Sequence, residues 1–357
     1  MSDEVQKEKR FGFKRWIILG LVAIGIYASY LGATYLQPIT PVVILPAEPT
    51  GLHIGNFQIT NTILSTLLTD IVVLLMAFGA WRFSRKGSLV PAGFYNAFEA
   101  IVEFLWTSVE GSAGKKWGKR IFPVVATIFI LVLTANMVKL FPGFESIGQL
   151  KEMHLPGTAY EPAHLFDIGT LGVYSLDAGK PHEITASHAD EELGHGEEAA
   201  VEEESQGDDH GSSDLCHYCE VVPFLRGSAT DLNFPFALAI IAVVMTQVYG
   251  VWAQGGGYFS KFVPLKKLIS GGLFGLIDFA VGFLEIILEF AKILSFGFRL
   301  FGNIFAGALL LSIIGVLVPV LLPPGLYLFE IFFGAIQAYV FFLLATVFIS
   351  GALESHH

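Results

Sequence analysis

Cysteine is nearly absent from this 357-residue sequence, with two residues in all, which excludes a multi-disulfide secreted scaffold. Charge is scarce too. Charged residues make up 15% of the chain against 53% hydrophobic ones, and the mean hydropathy is +0.61. Soluble domains carry about 25% charged residues, so the composition is that of an integral membrane protein. Basic residues are missing where acids are densest: 13 of the 32 acidic residues lie between Glu183 and Glu220, a stretch without Lys or Arg. The rest of the chain holds 19 acids against 21 bases, so the net charge of -11 belongs to one segment. No exposed basic patch is left for nucleic acid. There is no P-loop, Rossmann glycine pattern, zinc motif or Ser/His/Asp set either, which excludes direct nucleotide binding and leaves no cofactor to expect.

Crossing a bilayer as a helix takes about 20 mostly apolar residues. Trp16 to Leu36 is uncharged, Asn61 to Trp81 carries only Asp70, Ile121 to Phe141 only Lys139, and Phe234 to Gln254 no charge. Leu268 to Val318 is longer and holds five charges; Leu326 to Leu353 holds only Glu330. The expected fold is an all-α membrane protein of about six inserted helices, the last two forming a long tilted hairpin. Lys and Arg gather before the first span, after the second, before the third and after the fourth. By the positive-inside rule both termini are cytoplasmic and the acidic segment lies outside. Residues 1–36 also resemble a signal peptide, but the apolar run is longer than the usual signal core, which favours a retained anchor.

Four regions follow: an anchor with an outside linker (1–56), the first membrane helices (57–143), an acidic, His-rich outside loop (144–226) and the C-terminal membrane helices (227–357). Within the second, Phe94, Phe98, Ile101, Leu105 and Val109 recur at helical spacing among Glu99, Glu103 and Glu110, which predicts an interfacial amphipathic helix. The loop is too poor in apolar residues to fold in its middle. Its His182, His188, His195, His210 and His217, with Cys216 and Cys219, leave free thiols, a disulfide and a metal site all open, and no metal site is assigned.

The informative chemistry lies on the fifth apolar stretch. At about 100° per residue, Asp278, Glu285, Glu289, Lys292, Arg299 and Asn303 fall within one arc of roughly 80°, a line about 38 Å long. Charges inside a membrane cost several kcal/mol each and face protein or water. One reading is structural: Glu289 pairs with Lys292, and Glu285 with Glu289 through a shared cation. The other is functional, and Arg299 favours it, because no acid stands three or four residues away and a guanidinium cannot be deprotonated. Glu330 and Gln337, seven residues apart, share one face of the last helix, which a hairpin sets against this stripe. Carboxylates, amides and one permanent cation suit the passage of protons or small cations.

The run Ser295-Phe-Gly-Phe-Arg299-Leu-Phe-Gly-Asn303-Ile-Phe-Ala-Gly307 closely resembles the signature of subunit a of the bacterial F-type ATP synthase. Glu285, Lys292, Glu330, Gln337-Ala-Tyr and the Thr230-Asp231-Leu-Asn233 start of the fourth span support it, over about residues 57–145 and 225–353. The resemblance implies a stator subunit with two half-channels against a rotating c-subunit ring, held beside the b subunits of the peripheral stalk and embedded in lipid of the cell membrane. It implies that Arg299 is the essential arginine, that Asn303, Glu330 and Gln337 line the outer half-channel, and that Glu285 lies on the cytoplasmic side. Asn136 matches a polar family position. Asp70 has no such counterpart and is carried only as a mid-span acid. Many relatives have an acid where this chain has Ala308, a histidine where it has Glu330 and an acid where it has Lys139. A stand-alone channel or antiporter, which would often show internal repeats, and a passive scaffold are the competing classes.

Overall fold

The structure is a computed structural model that describes residues 13–35, 47–55, 57–85, 94–141, 143–152, 157–160, 162–168, 171–175, 181–184, 219–262, 272–318 and 321–353. Among these residues the helices are α1 (Phe13–Tyr35), α2 (Asn61–Ser84), α3 (Phe94–Val138), α4 (Asn233–Gln254), α5 (Gly272–Leu317) and α6 (Pro323–Leu353). By length and composition α2, α3, α4 and α6 can each cross a membrane, while the apolar stretch of α1, Trp16–Ala28, is shorter. α5 is the longest at 46 residues, roughly 69 Å at helical rise, more than twice the thickness of a hydrocarbon core. This is a multi-pass, helical membrane protein.

The amphipathic helix and the third span turn out to be one element. α3 runs from Phe94 to Val138, broken at Gly114 (φ 70, ψ 164), a backbone conformation that a residue without Cβ adopts at little cost. Leu105 and Val109 of the first limb are fully buried, but Ile101 is 41% exposed, so the predicted apolar stripe packs only in its second half. At the far end of α4, Gly255 (φ 64) closes the helix.

The connecting segments hold short strands that the sequence reading does not foresee. β1 (Pro49–Ile54) pairs antiparallel with β2 (Phe57–Thr60). β3 is Gly148–Glu152, β4 Gly157–Tyr160, β5 Ala163–Ile168, β6 Leu171–Ser175, β7 Pro181–Ile184 and β8 Cys219–Pro223. β4 pairs with β7 from Gly157↔Ile184 to Tyr160↔Pro181, and β5 with β6. Residues 185–218, the middle of the acidic loop with Cys216 and most of its histidines, lie outside the described residues. Of the three readings left open for the cysteines, Cys219 is disulfide-bonded.

The chain divides into two compact units. One comprises Met1–Val43, Leu150–Val221 and Leu309–Phe329; the other comprises Ile44–Gln149, Val222–Ala308 and Glu330–His357. The second contains the core. Val125, Phe129 and Val132 of α3, Leu238 and Ala242 of α4, Phe296, Leu300 and Ile304 of α5, and Ala338, Phe341, Phe342 and Ile349 of α6 form one buried cluster. The rings of Phe296 and Phe341 meet at 4.8 Å between centroids, tilted at 53°. Phe296, Leu300 and Ile304 recur every four residues, so a single face of α5 is pinned to the core while Phe290, Leu294 and Phe298 on other faces stay 50% exposed or more. At one edge the Arg120 guanidinium lies over the rings of Trp117 and Trp252 (5.2 and 4.6 Å), and Tyr249 Oη donates to Arg120 O at 2.7 Å.

Candidate ion-translocation site

α5 presents its polar residues at the border between its pinned face and its open one. Two charge clusters form along it, and Arg299 lies between them.

The first cluster surrounds Glu285 and Glu289. Lys261, from the short 3-10 segment Gly255–Lys261 after α4, approaches Glu285 Oε1 at 2.5 Å and Glu289 Oε1 at 3.8 Å. Lys292 Nζ donates to Glu289 Oε1 at 2.8 Å. Two ammonium groups thus balance two carboxylates, and the pairing that the sequence allows as a structural reading is present, with Lys261 as the shared cation. Glu289 Oε2 is buried with no hydrogen-bond partner among the described residues. Tyr258 packs beside this cluster, and its Oη meets Gln247 Oε1 at 2.8 Å. The side chain of Asp278, at the far end of the polar line, lies outside the described residues.

The second cluster joins α3, α5 and α6. Lys139 Nζ lies 3.3 Å from Glu330 Oε1, with side-chain exposures of 7% and 8%. Glu330 leans over Gly307 of α5, where a Cβ would come within 2.8 Å of Oε1. One turn along, Asn136 Nδ2 donates to Gly334 O at 3.1 Å, which ties α3 to α6. Gln337 is 6% exposed, and its Nε2 is buried without a partner among the described residues. Buried amide nitrogens without partners are rare because each costs about 1–3 kcal/mol.

Arg299 is 14 residues from Glu285 and eight from Gly307 along the same helix, roughly 21 Å and 12 Å at helical rise. Its side chain is exposed and forms no hydrogen bond or ion pair with a described residue. Ser295, one turn before it, is exposed as well, and Asn303, one turn after, is half-buried. A permanent cation therefore stands open between two neutralised clusters.

Three further residues named from the sequence sit elsewhere. Asp231 is 3% exposed and caps α4: its carboxylate accepts from Asn233 N and, at 3.3 Å, from Asn233 Nδ2. Its Oδ2 also accepts from Thr62 Oγ1 of α2 at 2.8 Å, so the pair Asp231 and Asn233 fastens helices. Asp70 is exposed on α2 among Leu67, Ile71 and Leu74, which are 47–67% exposed. Sequence reasoning gives no role to Lys139, Lys261 or Gly307. The signal for Lys139 is that it and Glu330 are lone, opposite charges in two apolar spans. Lys261 is masked by its place in a basic run that the positive-inside rule already accounts for.

Comparison with known proteins shows the family. Residues 63–350 match the family described as ATP synthase A chain. Similar relatives are each called ATP synthase subunit a. The Mycobacterium marinum protein is 26% identical over 315 residues, covering 86% of this chain and 94% of the relative. A protein of Syntrophotalea carbinolica, called ATP synthase subunit a 1, is 28% identical over 307 residues (86% and 93%). That of Helicobacter pylori is 25% identical over 305 residues (84% and 94%).

Proposed function

The chain belongs to the ATP synthase A chain family, and from that premise we propose that Arg299 is the charge on which ion flow and rotation are coupled. The chain is the proton-translocating subunit of the Fo sector, works with other Fo subunits and is not itself catalytic. In the proposed mechanism two half-channels reach Arg299 from opposite sides, one past Glu330, Gln337 and Asn303, the other past Glu285. The b subunits of the peripheral stalk hold the subunit against a rotating ring of c subunits, each bringing a carboxylate to the open face of α5. Arg299 attracts that carboxylate when it is ionised, so the ring site must release its proton on one side and regain one on the other. The same fixed charge repels protons that would otherwise pass directly between the half-channels. Both termini face the cytoplasm and the acidic loop the outside, with the domain limits given by the sequence.

The observation that carries this reading is the exposed Arg299 guanidinium, without a partner among the described residues, between two clusters that are already balanced. A desolvated arginine needs an anion, and these clusters offer none to spare. A passive scaffold leaves that cation without purpose.

The test is Arg299→Ala in the assembled complex. ATP-driven proton pumping into vesicles should vanish while the complex purifies intact. Arg299→Lys should retain little, because an ammonium can lose its proton when desolvated and lacks the planar fork. Normal coupled pumping by Arg299→Ala would refute the assignment.

A further inference from the structure

We infer that Lys139 is a positioning residue of the proton path: its ammonium is the built-in counter-charge of Glu330, and the two residues enter the path as one neutral unit. The inference rests on reading Glu330 as a path residue and adds the partner that governs it.

The geometry carries it on three counts. Both side chains are more than nine-tenths buried, and Lys139 Nζ meets Glu330 Oε1 at 3.3 Å. A lone ammonium or carboxylate at that burial would be strongly unfavourable, so each charge is tolerated because the other is there. The same Oε1 atom is confined from the other side by Gly307, whose missing Cβ leaves it room. Finally, the Lys139 stem is guided by Gly227: a Cβ there would lie 3.3 Å from Lys139 Cδ. Gly227 is itself fixed by its N–H donating to Glu145 Oε1 at 3.0 Å. Glu145 is exposed and held by that backbone bond, so the buried acid facing Lys139 from α6 is Glu330.

The pair has a functional consequence. When Glu330 takes up a proton on its way through the membrane, the carboxylate becomes neutral and Lys139 is left as a buried cation. Giving the proton up restores the pair. Each transfer therefore breaks the neutral pair, and its completion remakes it. Glu330 also shields the path: with its carboxylate removed, Lys139 becomes a positive barrier to the next proton.

The test measures ATP-driven proton pumping in vesicles holding the assembled complex, for Glu330→Gln, Lys139→Gln, Lys139→Arg and the double variant Lys139→Gln with Glu330→Gln. Glu330→Gln should pump at least tenfold more slowly. The double variant should recover at least threefold over it, because the barrier has gone although the relay has not returned. Lys139→Arg, which keeps the charge, should stay within about threefold of the native rate, and Lys139→Gln should fall below it. A double variant no faster than Glu330→Gln, or equal losses in Lys139→Arg and Lys139→Gln, would overturn the inference while leaving the role of Arg299 intact. Unchanged pumping by Glu330→Gln would instead remove Glu330 from the path and the inference with it. If Glu330→Gln fails to assemble, rescue of assembly by the double variant supports the pairing, and no rescue refutes it.

Discussion

Replacing Gly307 by Ala tests the site through a single methyl group. In a helix interior the change alone favours folding by about 1 kcal/mol, since glycine loses more backbone freedom than alanine. The added Cβ, however, would lie 2.8 Å from Glu330 Oε1, where ordinary contact begins near 3.4 Å. The carboxylate must retreat by about 0.6 Å, a shift of the size that close-packed interiors register. Its bond to Lys139 starts at 3.3 Å and has almost no slack before it ceases to be a hydrogen bond. A charge-assisted bond of this kind is worth about 1.5–3 kcal/mol, so the two effects leave a net stability loss of about 0.5–2 kcal/mol, small enough for assembly to survive. The proposed proton path would lose the geometry of its buried pair, and at about 1.4 kcal/mol per factor of ten pumping should fall roughly tenfold. The assay is ATP-driven acidification of vesicles, normalised to assembled complex. Gly302→Ala is the control, because a Cβ there meets nothing within 4 Å. Native pumping by Gly307→Ala, or equal losses in both variants, would refute the reasoning.

Two other outcomes follow from the packing and the charges. Leu300→Ala removes a fully buried side chain next to Arg299 and should cost about 2–5 kcal/mol, read as a lower melting temperature of the purified complex and loss of coupling together. Lys261→Gln takes away the cation shared by Glu285 and Glu289 but leaves Lys292 on Glu289; pumping should fall less than fivefold, and adding Lys292→Gln should deepen the loss well beyond the product of the single effects.

The helices were legible because about 20 apolar residues between basic clusters leave few alternatives, and the limits of α2 and α4 fall within a few residues of the expected spans. The polar line on α5 was legible because helical periodicity alone puts Glu285, Arg299 and Asn303 on one side. Periodicity says nothing about which helix faces which, so the partners from just after α3 and from the segment after α4, Lys139 and Lys261, escaped it. Gly114 escaped for a related reason: a glycine can end one helix or kink a continuous one, and only the backbone geometry decides. The short strands of the linking segments depend on pairings between distant residues that no local pattern announces.

In the proposed assembly, the open side of α5 is where a fixed subunit would bear on a moving one. Phe290, Leu294 and Phe298 recur at helical spacing and are 65%, 50% and 54% exposed. Apolar side chains have no hydrogen bonds to break and no preferred partner, so contacts between such surfaces are individually worth only about 0.1–0.2 kcal/mol per atom pair and exchange with little resistance. Against the rotating ring proposed above, this stripe would act as a low-friction bearing and Arg299 as its point of strong grip, while Phe296, Leu300 and Ile304 hold another face of the same helix in the core. Load would then be carried by grease and direction by a catch, and a polar substitution along the stripe would add drag before it cost any stability.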